Sequence, residues 1–363
     1  MEWSYKQPVE IIFGNGKLEQ LPEWIGDAVR PIVISSNYFA KSGLVSELAR
    51  KLGGDEFTDV SPNPDVSEVN RCSRQIRENR NDLIIAVGGG SVIDLAKAAS
   101  AIVDDIAEYH GTGRGFPQEH IPVIAIPTTA GTGSEVTNVA VLTNRMTGKK
   151  MPIVSDSFYP KLAIVDPLLT RSMPPQITAS SGIDVLCHAV EGYWSKGHQP
   201  ICDALAIHAI RIVFNFLPVV YQEPDHLEAR EKMAEASLLA GLAFTVPKTT
   251  SSHACSFPLT SIYGIPHGEA CGLTLDYFAR VNAADERTVQ LAKTLGFASV
   301  EQFADAIIQL KKQVGLRTDL AEFHLSEEAV EELVSKSHHP NLLNNPVVIT
   351  DEILYDLYAT LRG

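Results

Sequence analysis

A chain of 363 residues, 45% hydrophobic and 20% charged, falls in the globular class and is long for one core, so two domains are expected. A formal net charge of -14 with no basic arm repels phosphate backbones, which argues against a nucleic-acid partner. The start Met1-Glu2-Trp3-Ser4-Tyr5-Lys6 lacks a basic segment before an apolar run, no long uninterrupted apolar stretch follows, and the five cysteines form no C-x-x-C pair, so a cytoplasmic protein with no membrane partner is expected.

In chain order, Glu10 to Phe13 and Pro31 to Ile34 read as strands, each closed by Gly, Ser or Asn. Val66 to Asn79 reads as a helix. Asp82 to Val87 and Ile121 to Ile126 are near-continuous apolar runs of strand length, the pattern of parallel strands with helices on both faces, and a helix from Ser91 to Val103 lies between them. From about Pro174 the apolar period becomes helical: Ala204 to Phe216, Glu228 to Leu242, Val300 to Val314 and Glu327 to Ser337. The expected fold is an α/β domain over residues 1–179 followed by an all-helical domain over 180–363.

Two strand-to-helix junctions are rich in glycine and hydroxyls. Gly88-Gly89-Gly90-Ser91 follows the strand ending at Val87, with Asp94 and Lys97 on the ensuing helix; Pro127-Thr128-Thr129-Ala130-Gly131-Thr132-Gly133-Ser134 follows the next strand. Glycines there let a pyrophosphate approach backbone N–H groups and a helix N-terminus, although a tight turn is the plain alternative. Neither junction has the G-x-G-x-x-G spacing, and no G-x-x-x-x-G-K-[ST] loop occurs.

Asp184 and His188 are four residues apart on a helical stretch, so they share a face, as two metal ligands or as a helix-stabilising pair. His253 and His267 lie among small and apolar residues. Singly each could be a core histidine; together the four supply one carboxylate and three imidazoles, a set suited to Fe²⁺ or Zn²⁺. His338 and His339 have no comparable context and are expected at the surface.

These motifs, with Ile12-Phe13-Gly14, Asn63-Pro64, Glu191 and the 14-residue step from His253 to His267, resemble the iron-containing (group III) alcohol dehydrogenase family nearly end to end. The resemblance implies a Rossmann-like N-terminal domain, a helical C-terminal domain and a homodimer or larger homo-oligomer. It further implies an NAD(P)(H)-dependent alcohol dehydrogenase or aldehyde reductase acting on a small molecule, with Asp184, His188, His253 and His267 holding Fe²⁺ or Zn²⁺ at the catalytic centre. Cofactor contacts carried over are Asn63, Gly89, Gly90, Ser91, Asp94, Thr128, Thr129, Ser134 and Lys150. A lyase resembling dehydroquinate synthase is the alternative within the fold.

Three departures bear on function. Ser36 stands where NAD-specific relatives often carry an aspartate, which removes repulsion of a 2′-phosphate and leans the expectation to NADP(H) or dual use. Phe257 stands where many members have a further histidine, so no proton relay is expected there. Lys248-Thr249-Thr250-Ser251-Ser252 replaces a Gly- and Leu-rich stretch; it resembles the phosphonoacetaldehyde reductase branch and suggests Lys248 for an anionic substrate group, with a solvent-facing loop as the alternative.

Overall fold

The computed structural model describes residues 2–26 and 29–363. The chain divides into two compact units: residues 6–129 with 133–170, and residues 171–363 with 130–132 and the N-terminal stretch up to Tyr5.

The first unit is built on a six-stranded parallel sheet. Its strands are β1 (Glu10–Phe13), β2 (Pro31–Ser35), β3 (Asp55–Phe57), β4 (Leu83–Gly88), β5 (Val123–Pro127) and, after a hairpin of β6 (Val139–Asn144) and β7 (Lys149–Val154), β8 (Leu162–Val165). The order is β1-β8-β5-β4-β2-β3. β2, β4, β5 and β8 are buried along their whole length, as unbroken apolar runs require, while β1 and β3 form the part-exposed edges. Short helices α1 (Leu21–Ile25) and α2 (Asn37–Ala40) precede α3 (Leu44–Leu52), α4 (Val66–Asn79) and α5 (Gly90–Ser100). The predicted helix Val66 to Asn79 is found with those bounds, since Asp65 accepts from the N–H of Ser67 to start it and Arg80 in the left-handed region ends it. The register Ser35 against Val87 and Gly88 against Pro127 brings the ends of β2, β4 and β5 to one edge, where open α/β sheets bind ligands.

The second unit is helical: α6 (Pro175–Trp194), α7 (Pro200–Gln222), α8 (Leu227–Phe244), α9 (Ser251–Tyr263), α10 (His267–Val281), α11 (Glu286–Thr294), α12 (Val300–Gln313), α13 (Glu327–Lys336) and α14 (Asp351–Arg362). α6 is its axis and is buried from Ile183 to Trp194. Residue 180, the boundary read from the sequence, falls inside α6. α7 is long and apolar enough to span a membrane by composition, yet Ala206, Ala209, Ile210, Val213 and Leu217 pack in the helical core.

Candidate metal centre and dinucleotide-binding edge

Glycines set how closely α6 and α10 approach. A Cβ on Gly268 would sit 2.1 Å from the Ser180 carbonyl oxygen and 2.7 Å from Asp184 Cβ; one on Gly272 would meet Ile183 at 2.6 Å. That approach brings His267, the first residue of α10, towards Asp184 on α6. His253 enters from the first turn of α9, its Nε2 3.6 Å from Asp184 Oδ1. Its ring centroid is 5.5 Å from that of His267 and 4.6 Å from that of His188.

Donor atoms of Asp184, His253, His267 and Cys271 all lie within 4.8 Å of one another. Cys271 is buried, and its Sγ stands 3.8 Å from His267 Nε2, one helical turn away on α10. His188 is outside this tightest set, its ring stacked on Phe244 at 4.2 Å. His188 Nδ1 and His253 Nε2 are buried ring nitrogens with no hydrogen-bond partner among the described residues. Bare imidazole nitrogens beside a buried carboxylate are costly unless a cation joins them, so the residues present fit a divalent metal. Burial, with His253 alongside, holds His188 well below the usual imidazole range, in the neutral form that ligates.

A directional hydrogen-bond chain orients His253. Trp194 Nε1, which can only donate, gives its proton to Thr250 Oγ1 at 2.8 Å. The Thr250 hydroxyl therefore donates onward to Glu191 Oε1, also at 2.8 Å. That oxygen takes the N–H of Ser252 at 2.7 Å and of His253 at 3.4 Å as well. Glu191 Oε2 receives His253 Nδ1. An ionised carboxylate only accepts, so the ring proton of His253 is on Nδ1 and the Nε2 lone pair faces Asp184. Burial alone would lower the pKa of His253; the adjoining Glu191 outweighs it and raises it.

The hydroxyl-rich segment before His253 is turned inward. Thr250, Ser251 and Ser252 are fully buried; Ser251 Oγ donates to Asn345 Oδ1 at 3.0 Å, and Thr249 Oγ1 accepts from Asn341 at 2.8 Å. Lys248 has a positive φ of 67° and its ammonium donates to the Thr245 carbonyl at 2.6 Å. His339, expected at the surface, is instead half-buried with its ring 4.6 Å from that of Phe257.

In the first unit, the residues singled out as cofactor contacts gather at the carboxyl edge of the sheet. Gly89 is the N-cap of α5 without a side-chain capping bond, so first-turn N–H groups of Gly90 and Ser91 stay available to an anion. A Cβ on Gly89 would meet Thr129 at 3.2 Å, and the Thr128 N–H reaches the Gly88 carbonyl at 3.1 Å, so the two junctions lie side by side. Asn63 N donates to Ser91 Oγ at 3.2 Å, and Lys150 Nζ to Asn63 Oδ1 at 2.7 Å. Asp94 and Ser134 bond each other at 2.5 Å, and Asp94 takes the Val141 N–H at 2.8 Å, tying α5 to β6. Ser36 caps α2 by accepting from Phe39 N at 3.3 Å.

Beneath this edge lies Lys97, fully buried, whose ammonium donates to the carbonyls of Ser134 at 2.7 Å and Thr137 at 3.2 Å. Burial lowers its pKa to about 8, and burial raises that of neighbouring Glu135 to about 7.

Residues 8–167 match iron-containing alcohol dehydrogenase, and residues 178–361 match the C-terminal part of the Fe-containing alcohol dehydrogenase family. The chain belongs to the iron-containing alcohol dehydrogenase family. A sulfoacetaldehyde reductase from Bifidobacterium kashiwanohense, solved with NAD⁺, is 56% identical, with 100% of this chain and 99% of that one covered and a TM-score of 0.96. The iron-containing alcohol dehydrogenase of Thermococcus thioreducens is 30% identical, with 99% of both chains covered and a TM-score of 0.89. The NAD-dependent methanol dehydrogenase of Bacillus methanolicus is 31% identical over 94% of this chain and 95% of its own. Iron-containing alcohol dehydrogenases are nicotinamide-linked oxidoreductases acting on CH–OH groups, which decides against the lyase alternative.

Glu191 appeared in the sequence only as part of a matching motif, Thr250 only within a hydroxyl run read for a substrate group, and Cys271 and His339 carried no sequence signal for the site. Only spatial neighbours reveal them.

Proposed function

We propose that this iron-containing alcohol dehydrogenase reduces a small anionic aldehyde of the sulfoacetaldehyde type. The observation that carries this reading is 56% identity across the whole chain to a sulfoacetaldehyde reductase. Asp184, His188, His253 and His267 are the residues assigned to the metal, Fe²⁺ or Zn²⁺, with Cys271 within reach of the same point. The end of α5, with Asn63, Thr128, Thr129, Ser134 and Lys150 around it, is assigned to the dinucleotide.

When bound, the metal would polarise the aldehyde oxygen as a Lewis acid and the reduced dinucleotide would supply hydride. Glu191 holds His253 in the ligating tautomer. Phe257 offers no proton, so the proton that completes the alcohol would come from solvent. NAD(H) is favoured by the 56%-identical relative, and the absence of a carboxylate at Ser36 makes NADP(H) tolerable. Five buried, unpaired cysteines suit a reducing cytoplasm.

The test is a rate panel on metal-reconstituted protein, with NADH and NADPH, over sulfoacetaldehyde, phosphonoacetaldehyde and propanal. A kcat/KM at least tenfold higher for the charged aldehydes supports the reading; parity with propanal sinks it. Replacing His267 with Ala should remove most bound metal and metal-dependent turnover together, and a variant with unchanged metal content and rate would defeat the ligand assignment.

A further inference from the structure

If an anionic aldehyde is the substrate, something must recognise its charged end; Lys248 is exposed with its ammonium on the Thr245 carbonyl, and its hydroxyl neighbours bond Asn341 and Asn345. Another donor lies beside Phe257. The Phe257 ring sits 6.3 Å from that of His267 and 4.6 Å from that of His339, so His339 and the candidate metal cluster have this ring as a common neighbour.

The loop carrying His339 is held to the segment that leads into α9, the helix of His253. Asn341 donates to Thr249 Oγ1 at 2.8 Å, Asn344 donates to the Thr249 carbonyl at 3.0 Å, and Lys196 N donates to the Asn344 carbonyl at 2.9 Å. These bonds fix the loop relative to His253 without help from any ligand.

His339 is itself the cap of the 3-10 turn Pro340–Asn344, its Nδ1 accepting the N–H of Asn341 at 3.2 Å. An Nδ1 that accepts has no proton, so the neutral ring carries its proton on Nε2. Burial, the largest influence, lowers the pKa of His339, although Asn341 opposes it, in keeping with a neutral ring. A proton relay would need Nδ1 to take up a proton as Nε2 gave one away, and the Asn341 N–H occupies that position. What remains is an uncharged N–H donor on a ring that has Phe257 as a neighbour in common with His267.

We propose that His339 is a specificity-determining residue whose Nε2–H hydrogen-bonds the anionic group of the substrate. This rests on the anionic-aldehyde reading above. It assigns a role to a residue near the chain's end, where the sequence offers no motif.

The test compares wild type, His339→Ala, His339→Gln and Lys248→Ala, each metal-loaded, with sulfoacetaldehyde and with propanal, and measures 2-hydroxyethanesulfonate binding by calorimetry. Loss of a hydrogen bond to a charged group predicts a roughly tenfold to hundredfold rise in KM for sulfoacetaldehyde in His339→Ala. The same loss is expected in 2-hydroxyethanesulfonate affinity, with kcat/KM for propanal within about twofold of wild type. Glutamine, which offers an amide N–H, should restore most of the loss. Wild-type preference for sulfoacetaldehyde that survives His339→Ala overturns the role of His339 alone, as does an equal fall for both aldehydes; loss of that preference in Lys248→Ala with none in His339→Ala moves the role to Lys248. A wild type indifferent to charge overturns the substrate reading and this inference with it.

Discussion

Glu191→Gln is the sharpest probe of the candidate metal centre, because the substitution is nearly isosteric and its consequence follows from hydrogen-bond direction. Glu191 Oε1 receives the Thr250 hydroxyl and the N–H groups of Ser252 and His253, whereas Oε2 receives only His253 Nδ1. In the variant the amide oxygen must take the Oε1 position, since an amide NH₂ there would face donors and leave them unpaired in a fully buried place. The NH₂ group then points at His253 Nδ1, which can pair with it only by becoming the acceptor. The ring proton moves to Nε2, the atom beside Asp184, and a protonated Nε2 cannot ligate. Reversing the tautomer and losing one charge-assisted bond together forfeit about 1.5–3 kcal/mol, or roughly tenfold to hundredfold in metal affinity. The assay is competition for Zn²⁺ or Fe²⁺ against a chromophoric chelator, run beside thermal unfolding of the apo protein. Folded Glu191→Gln with wild-type metal affinity would refute the argument. Glu191→Asp, which keeps an acceptor-only carboxylate, should recover part of the loss.

The other predictions address the remaining parts of the molecule. Glu135 has a folded pKa of about 7 against 4.5 for the ordinary carboxyl, so the folded state holds its proton longer and stability falls as pH rises between those values, by about 3 kcal/mol in all; Glu135→Gln should flatten melting temperature against pH across that window, and an unaltered slope would count against it. Gly268→Ala drives a Cβ to within 2.1 Å of the Ser180 carbonyl oxygen, so denaturant unfolding should show a loss of about 1–3 kcal/mol together with weaker metal binding. Ser36→Asp retains the cap on Phe39 N, since aspartate caps as well as serine, but sets a carboxylate at the end of β2; KM for NADPH should rise about tenfold or more while KM for NADH stays near wild type, and equal shifts for both would place Ser36 away from the 2′ position.

Much of the frame was open to reading from residue order alone. Runs such as Leu83–Gly88 and Val123–Pro127 announce buried parallel strands because both faces must be apolar, and the glycines after them announce a backbone that a ligand approaches. The i, i+4 spacing of Asp184 and His188 announces a shared helix face. Other features left weaker traces. The β6–β7 hairpin went unmarked, since Asn144 to Lys149 contains none of the short Asn-Gly or Asp-Gly turns that signal one. The hydroxyls of Thr249 to Ser251 looked like a ligand-binding loop, but in the fold they serve Glu191, Asn341 and Asn345.

What the sequence determined by itself was the set of chemical types: periodicity and spacing are local properties, and they specify strands, helices, glycine junctions and four candidate ligands. Which of those ligands draw close, and what orients them, only the tertiary structure decided. Asp184, His253 and His267 converge because two glycines on α10 permit its close packing on α6; Cys271 joins them, and His188 lies beside His253 with its ring stacked on Phe244. Glu191 and Thr250 act through partners 56 to 62 residues away, as in the Trp194–Thr250 bond at a separation of 56 and the His253–Glu191 bond at 62, and His339 meets the Phe257 ring across the fold. Hydrogen bonds and ring contacts depend on distance in space, and no local pattern of residues encodes that.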